Sequence, residues 1–368
     1  MSGSRLMLAR QLKGLTQTQL ANTIGISQRA ISKYEQTGEG VGSDALSSIA
    51  KILGFDPLFF EGDDVDVPTE GAISFRARSK MSAKKKNQAI ASSGFGLILS
   101  DWMDREYVLP ASCIPDYSGL DPEVAAEMLR AEWGLGEGPV ADMIATLESN
   151  GVRVFSVAEA SQLIDAFSFW DELRNRPFVF LTTSKSGERR RMDAAHELGH
   201  LVLHRKVDLK DGDSREVEHQ ADAFASAFLM PNRGFRSFFT HNISLDDVMH
   251  AKKIWKVSAF AVVYRAHSLG LITDWRYHDL CVVMSKRGMR TKEIDGIVPE
   301  RSQIDDQVLS LTQEEYGTTK AVSDATKLPY ALIMSLTFNL APIKVIDGSN
   351  GNGTAASPKV SKTGLRIV

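Results

Sequence analysis

Two cysteines in 368 residues, Cys113 and Cys281, stand far apart with no Cys-x-x-Cys spacing, which excludes a disulfide framework and a cysteine zinc site. No stretch approaches the roughly 20 apolar residues that a bilayer span requires. The first residues, Met1-Ser2-Gly3-Ser4-Arg5, lack the apolar core of a signal peptide. The expectation is a reducing, cytoplasmic setting with no membrane attachment. A net charge of −3 is too small to point to a partner, so local blocks of charge matter more than the sum. The length favours two or three domains.

What is present is most concentrated at His196-Glu197-Leu198-Gly199-His200. Two imidazoles four residues apart on a helix lie roughly 40° apart around its axis, so both reach one metal ion, and the carboxylate beside them can move a proton. Upstream, Gly151–Phe155 and Pro177–Thr183 are rich in β-branched and aromatic residues and read as strands. An edge strand there can hold a substrate backbone extended beside the metal. A catalytic zinc usually takes three protein ligands and keeps one position open, so one more ligand is needed. Glu218 is the candidate. It opens a helical run to Pro231 in which Asp222 shares its face, so one carboxylate can bind metal while the other accepts the N–H of a ligating imidazole. His204, eight residues after His196, drifts about 80° off the ligand face and reads as structural. His219 points about 100° away from Glu218. The glycine and third histidine of the longer metzincin pattern are absent.

His196-Glu-Leu-Gly-His200 followed by Glu218-x-x-Ala221-Asp222-x-Phe224-Ala225 and Leu229-Met230-Pro231 resembles the ImmA/IrrE family of zinc peptidases. The resemblance is close over residues 192–231 and looser over about 121–280. It implies a gluzincin-like site in which His196, His200 and Glu218 hold one zinc ion, Glu197 is the general base and Asp222 supports a ligand. It also implies substrates among DNA-binding repressors of the Cro type, often encoded nearby. Tyr264, Arg265, His267 and His278 stay open as candidates for stabilising an oxyanion.

Between Arg5 and Phe60 apolar residues recur at helical spacing, with Thr16 and Ser27 placed as N-caps and Gly25 as a left-handed stop. The helix from Gln28 to Glu35 is expected to bury Ala30, Ile31 and Tyr34 and to expose Gln28, Arg29, Ser32 and Lys33, which carry base-edge and phosphate chemistry. Leu15-Thr16-Gln17-Thr18-Gln19-Leu20-Ala21, Gly25-Ile26-Ser27 and Ile31-Ser32-Lys33-Tyr34-Glu35 closely resemble the Cro/repressor (XRE) type of helix-turn-helix domain. That resemblance implies that Gln28, Arg29 and Lys33 read bases of a double-stranded operator, that Gln17 and Ser32 hold its backbone, and that the protein binds as a homodimer. Residues 1–36 carry five basic side chains against one acidic, which suits a phosphate-facing surface.

The expected fold class is mainly α, with α+β character in the centre. A five-helix DNA-binding domain occupies residues 1–62, and a linker and long helix 63–110. A gluzincin-like peptidase domain with a small mixed sheet follows over 111–275, then a helical C-terminal region over 276–368. Residues 63–71 read as an acidic connector, 75–80 and 84–86 as basic blocks, and 348–354 as a flexible tail. The pair of helices expected over 246–258 and 259–270 superficially repeats the helix-turn-helix pattern but is too apolar to read bases, so it is assigned to packing. The functional expectation is a transcriptional regulator with a zinc metallopeptidase domain, cleaving a repressor-type protein or itself in response to stress or a mobile element. The alternative is a catalytically silent regulator or antitoxin-like protein whose zinc domain senses a ligand or binds a partner.

Overall fold

The head is built from α1 (Gly3–Leu12), α2 (Gln17–Ile24), α3 (Gln28–Thr37), α4 (Ser43–Leu53) and a 3₁₀ turn over Pro57–Glu61. Its start and stop signals act as the sequence predicts. Thr16 and Gln19 form a reciprocal capping box, Ser27 caps α3, and Gly25 ends α2 at φ 84°. Of the three residues expected to bury on α3, Ile31 is fully buried while Ala30 and Tyr34 are half-buried, because the helix lies at the surface of a small core.

A computed structural model of the chain describes residues 1–69, 74–75, 82–157, 165–205, 214–239, 242–291, 293–340 and 366–367. Residues 76–80 of the basic block at 75–80, and the tail at 348–354, lie outside the described residues. After the head come β1 (Ser74–Phe75), α5 (Ala83–Glu106), β2 (Tyr107–Val108), α6 (Pro122–Glu132), α7 (Met143–Ser149), β3 (Arg153–Ser156), β4 (Ala166–Asp171) and β5 (Arg176–Leu181). Then follow α8 (Gly187–Leu203), α9 (Ser214–Leu229), α10 (Asn232–Phe238), α11 (Leu245–Trp255), α12 (Ala259–Ser268) and α13 (Asp274–Lys286). Helices α14 (Gln303–Tyr316), α15 (Lys320–Thr326) and α16 (Tyr330–Leu336) close the described C-terminal region, and β6 (Arg366–Ile367) pairs antiparallel with β2. The chain is thus mainly helical around one small mixed sheet. No helix among the described residues is long and apolar enough to cross a membrane.

Helix α5 is the spine that joins head to sheet. Gly94 and Gly96 are roughly 200° apart around the helix, so they open opposite faces. A Cβ on Gly94 would meet Leu8 Cδ1 at 2.7 Å and Val67 Cγ1 at 2.9 Å, and one on Gly96 would meet Phe180 Cζ at 2.6 Å. Absence of those side chains lets α1 approach from one side and the sheet from the other. The acidic segment read as a connector is held along the head as far as Val67. Asp64 Oδ1 accepts from Ser2 Oγ at 2.6 Å and Ser4 Oγ at 2.7 Å, and Arg5 Nε donates to the Asp63 carbonyl.

The sheet runs β1-β4-β5-β3, with β3 and β5 parallel and the other pairs antiparallel. Strand β4 falls outside the sequence expectation. Phe167 stacks on Phe180 and Phe169 on Phe178, with ring centroids 4.7 and 5.2 Å apart, on the face that meets α5. Their neighbour Ser168 therefore faces the opposite side, where α8 lies. Helices α11 and α12 pack as expected, with Val248, Ala251, Trp255, Val262, Val263 and Ala266 buried.

Candidate metal centre and DNA-reading face

Helix α8 begins at the N-cap Ser186, and its first turns are pinned from outside. Arg190 donates to the carbonyls of Thr183 and Glu300, and Arg191 to the Glu300 carboxylate and the Val140 carbonyl. Every residue from Ala194 to Leu203 is buried. Fixed in this way, the helix presents His196 and His200 one turn apart with their Nε2 atoms 3.1 Å from each other. Helix α9 packs across α8 and brings Glu218, whose Oε2 lies 3.4 Å from His196 Nε2 and whose Oε1 lies 3.6 Å from His200 Nε2.

The donor set fits a zinc-sized ion. Ligand atoms held at about 2.0–2.1 Å in a tetrahedron stand roughly 3.3 Å apart, close to the three spacings found here. The far side of each imidazole is also committed. His196 Nδ1 lies 2.8 Å from Asp222 Oδ1, so its N–H donates there and Nε2 carries the lone pair.

The tautomer of His200 follows from a longer chain of hydrogen bonds. Glu216 Oε1 accepts from Gln220 Nε2 at 3.0 Å, which turns Gln220 Oε1 toward His204 Nε2, also at 3.0 Å. His204 must then donate through Nε2 and accept through Nδ1, which faces His200 Nδ1 at 3.0 Å. His200 therefore donates through Nδ1 and keeps the lone pair of Nε2 toward Glu218. His204 is thus outside the ligand group, in keeping with the structural reading, and supports His200 from behind. Its position, at i+4 from His200, was the available signal; its φ of −123° as C-cap turns it out of the helical phase.

Electrostatics follow burial and charge. Burial works to lower His196, but hydrogen bonds to Asp222 and Glu218 overcome it and raise the imidazole to about 9 without metal. Burial dominates at His200 and lowers it to about 4. At Glu218 burial works upward, yet the bonds to His196 and His200 bring the carboxyl down to about 2. The metal-free centre thus sets the Glu218 carboxylate against a doubly protonated His196, and a bound dication would replace the proton on Nε2 while that on Nδ1 stays with Asp222.

Glu197 is fully buried on the β4 side of α8. Its Oε2 accepts from Ser168 Oγ at 2.6 Å, while Oε1 has no hydrogen-bond partner among the described residues. Burial pushes its carboxyl up to about 7, against the pull of His196 and the Ser168 hydroxyl. No local pattern marks Ser168. The candidates for an oxyanion group are engaged elsewhere or exposed: Arg265 makes two bonds to Glu123 and one to the Met230 carbonyl, His267 bonds Asp274, and Tyr264 and His278 are exposed.

In the head, Gln28 Nε2 donates to Gln17 Oε1 at 2.7 Å, Gln17 Nε2 to Glu35 Oε2 at 2.8 Å, and Glu35 is clamped by Arg10. This chain fixes the start of α3 against α2. Arg29 and Lys33 are exposed, with no side-chain hydrogen bond or ion pair among the described residues, and Ser32 is half-buried beside them.

Comparison with known proteins agrees with both halves. Residues 6–60 match the helix-turn-helix family, and residues 147–267 match the peptidase family of the IrrE N-terminal-like domain. Over 98 residues the chain is 32% identical to an uncharacterized HTH-type transcriptional regulator of Sinorhizobium medicae (strain WSM419). It is equally similar to one of Rhizobium meliloti (strain 1021), and each match covers 27% of this chain and 68% of the relative. The chain belongs to the HTH-type transcriptional regulators and carries an IrrE-like peptidase-family domain behind its DNA-binding head.

Proposed function

We propose that this regulator is a zinc metallopeptidase that hydrolyses a peptide bond in a repressor-type protein, in trans or within its own chain. The observation that carries the reading is the convergence of His196 Nε2, His200 Nε2 and the Glu218 carboxylate, with Glu197 buried beside them and its Oε1 without a hydrogen-bond partner among the described residues. Zinc binding alone has no use for that carboxylate. His196, His200 and Glu218 would hold the ion, Asp222 would orient His196, and the Glu216–Gln220–His204 chain would orient His200. When bound, zinc supplies Lewis acidity toward the scissile carbonyl and the attacking water. Glu197 takes the proton from that water through Oε1 and returns it to the leaving amine, while Ser168 holds Oε2. In the head, Gln28, Arg29 and Lys33 meet base edges of an operator duplex, and Gln17 and Ser32 meet its backbone, as one half of a homodimer. Operator binding raises the effective concentration of the peptidase near a repressor bound to the same DNA.

The test incubates zinc-loaded protein with the repressor-type protein encoded beside its gene. Cleavage that a chelator stops, and that Glu197→Gln lowers by about 10²–10⁴-fold with zinc content and operator binding unchanged, is the expected result. A tight complex with no cleavage by either chain would replace this reading with that of a silent regulator.

A further inference from the structure

The segment that leads into α14 is fastened at both ends and bare in the middle. Ile297 N donates to Glu188 Oε1 at 3.0 Å, at the start of α8. Three residues on, the Glu300 carbonyl accepts from Arg190, and its carboxylate takes Arg191 and, at 2.9 Å, the Met143 amide at the start of α7. Between these anchors Val298 is 86% exposed. With its backbone fixed on both sides, that side chain is presented to solvent by the fold. It forms one wall of an open cavity of about 560 Å³, with Ile297 and Pro299 beside it and Lys253, Lys256 and Arg301 around it. The acids of the lining are already engaged: Asp142 caps α7 through the Ala145 amide, and Glu300 is held as above. Lys253 meets Asp295 at 2.8 Å, but both side chains are more than half exposed, so water screens the pair. Arg301 has no hydrogen bond or ion pair among the described residues. Burial pushes the Arg190 guanidinium down, and the charge of Arg301 pushes it the same way.

Lys256 is the sharper sign. In the head, Gly25 and Ile26 both donate to the Ala21 carbonyl, and Gly25 stands at φ 84°. After α11 the same turn recurs, Lys256 and Val257 both donating to the Lys252 carbonyl, with Lys256 at φ 54° and ψ 43°. Glycine takes this left-handed conformation cheaply and lysine does not. What lysine offers there is its side chain. Lys256 Nζ donates to the Ala141 carbonyl at 2.6 Å, joining two walls of the cavity. Two of the three N–H groups of the ammonium are left without an acceptor among the described residues.

We propose that this cavity binds a small organic anion, its carboxylate or phosphate between Arg301 and Lys256 and its apolar body against Ile297, Val298 and Pro299. The lining shares no residue with the His196–His200–Glu218 group, and the inference does not depend on the peptidase reading. A guanidinium offers a planar fork to two anion oxygens and an ammonium adds a point charge, so the pair favours a head with at least two terminal oxygens. The volume lies within the range of small-ligand cavities. Glu300 carries both Arg190 and Arg191, so an occupant bound to the adjacent Arg301 adds stability where the metal-bearing helix begins.

The experiment uses the full zinc-loaded chain. Phenyl phosphate, benzoate and uncharged benzyl alcohol are titrated by ligand-observed NMR, and inorganic phosphate is added as a competitor. The aryl anions are expected to bind with a Kd on the order of 1 mM, and benzyl alcohol and inorganic phosphate about tenfold more weakly. Whichever aryl anion binds tighter identifies the natural head group as phosphate ester or carboxylate. Arg301→Gln and Lys256→Gly should each weaken anion binding about tenfold, with zinc content unchanged. Glycine suits the left-handed turn, so loss of binding in Lys256→Gly is not loss of the fold. Val298→Asp, at an exposed position, should repel the anions and weaken them at least as much. No saturable binding of either aryl anion, equal binding of benzyl alcohol, displacement by an equal concentration of inorganic phosphate, or anion binding that all three variants retain overturns the proposal. So does anion binding that disappears when a chelator removes zinc, since the ligand then sits on the metal.

Discussion

The two functional regions of this chain are built on opposite terms with water. Arg29 and Lys33 stand exposed on one short helix, with no intramolecular partner among the described residues. His196, Glu197 and His200 are buried to 4% exposure or less and are held by side chains from α9 and β4. An exposed face needs only the right residues at helical spacing, since the partner supplies the rest of the contact. A buried centre must be completed from within, because each desolvated polar atom needs a partner from somewhere else in the fold. The contrast explains why Asp222, His204, Gln220 and Ser168 matter at one site, while in the head the Arg10–Glu35–Gln17–Gln28 chain is enough to set α3 against α2.

Removal of a supporting partner at the buried centre is the strongest way to sharpen that comparison. Asp222→Ala frees the His196 N–H and should lower zinc affinity by about 10–100-fold, measured by competition with a chromophoric chelator. His204→Ala should act in the same direction by releasing His200. Operator affinity should stay unchanged in both. Zinc affinity equal to that of the unaltered chain would show that the centre does not depend on these partners.

Glu148 separates burial from chemistry. It is buried like Glu197 and likewise pushed up to about 7 by desolvation, yet its partners are Ser302 Oγ and the Gln303 and Ile304 amides at the start of α14. A carboxyl raised on folding contributes stability that is fully present below its unfolded value, near 4.5, and lost as pH rises through about 7. Glu148→Gln keeps an acceptor for α14 without the charge. The fall in thermal stability between pH 5 and pH 8 should therefore shrink, by about 2 kcal/mol. An unchanged slope would mean that the cost of burying this charge is met elsewhere.

The spine between the regions offers a smaller effect. Gly94→Val inserts a side chain where Leu8 and Val67 already crowd the helix, and should cost on the order of 1–2 kcal/mol. Limited proteolysis after the head should accelerate, while zinc binding at the centre persists. Unchanged stability and proteolysis would show that the head does not depend on this close approach to α5.

Much of this organisation is legible in the sequence, for reasons that differ along the chain. Capping residues, Gly25 and the apolar spacing of the head act within a few residues of themselves, so α1 to α3 can be read directly. His196, His200, Glu218 and Asp222 sit on two helices with spacings of four, and the structure brings all four together. Ser168 could not be found that way: its role exists only because β4 lies beside α8, and β4 itself, Ala166-Phe-Ser-Phe-Trp-Asp171, is buried on both faces and so lacks the alternation of a half-exposed strand. His204 stays out of the ligand group, as its drift from the ligand face implies, but its support of His200 could not be read from the sequence because it depends on Gln220 of α9. The packing of residues 63–67 along the head was hidden by their acidic composition, which describes the solvent-facing atoms and not Val65 and Val67 between them.

The exposed face should respond most gently, and in a different currency. Lys33 and Arg29 have no internal bond to lose, so Lys33→Ala and Arg29→Ala should leave thermal stability within about 0.5 kcal/mol of the parent. Lys33→Ala removes one cation from the helix that would enter the groove. If Lys33 meets a phosphate, the salt dependence of operator binding falls by about one unit of slope for every sequence alike. If it meets a base edge, the loss is confined to operators that carry that base and amounts to about 1–3 kcal/mol of discrimination. Titrations of operator and scrambled duplex at several salt concentrations separate the two outcomes, and the base-edge outcome is the expected one. A Lys33→Ala chain that binds both duplexes as tightly as the parent would break the comparison at its root, since the free cations of α3 would then have no part in what the head holds.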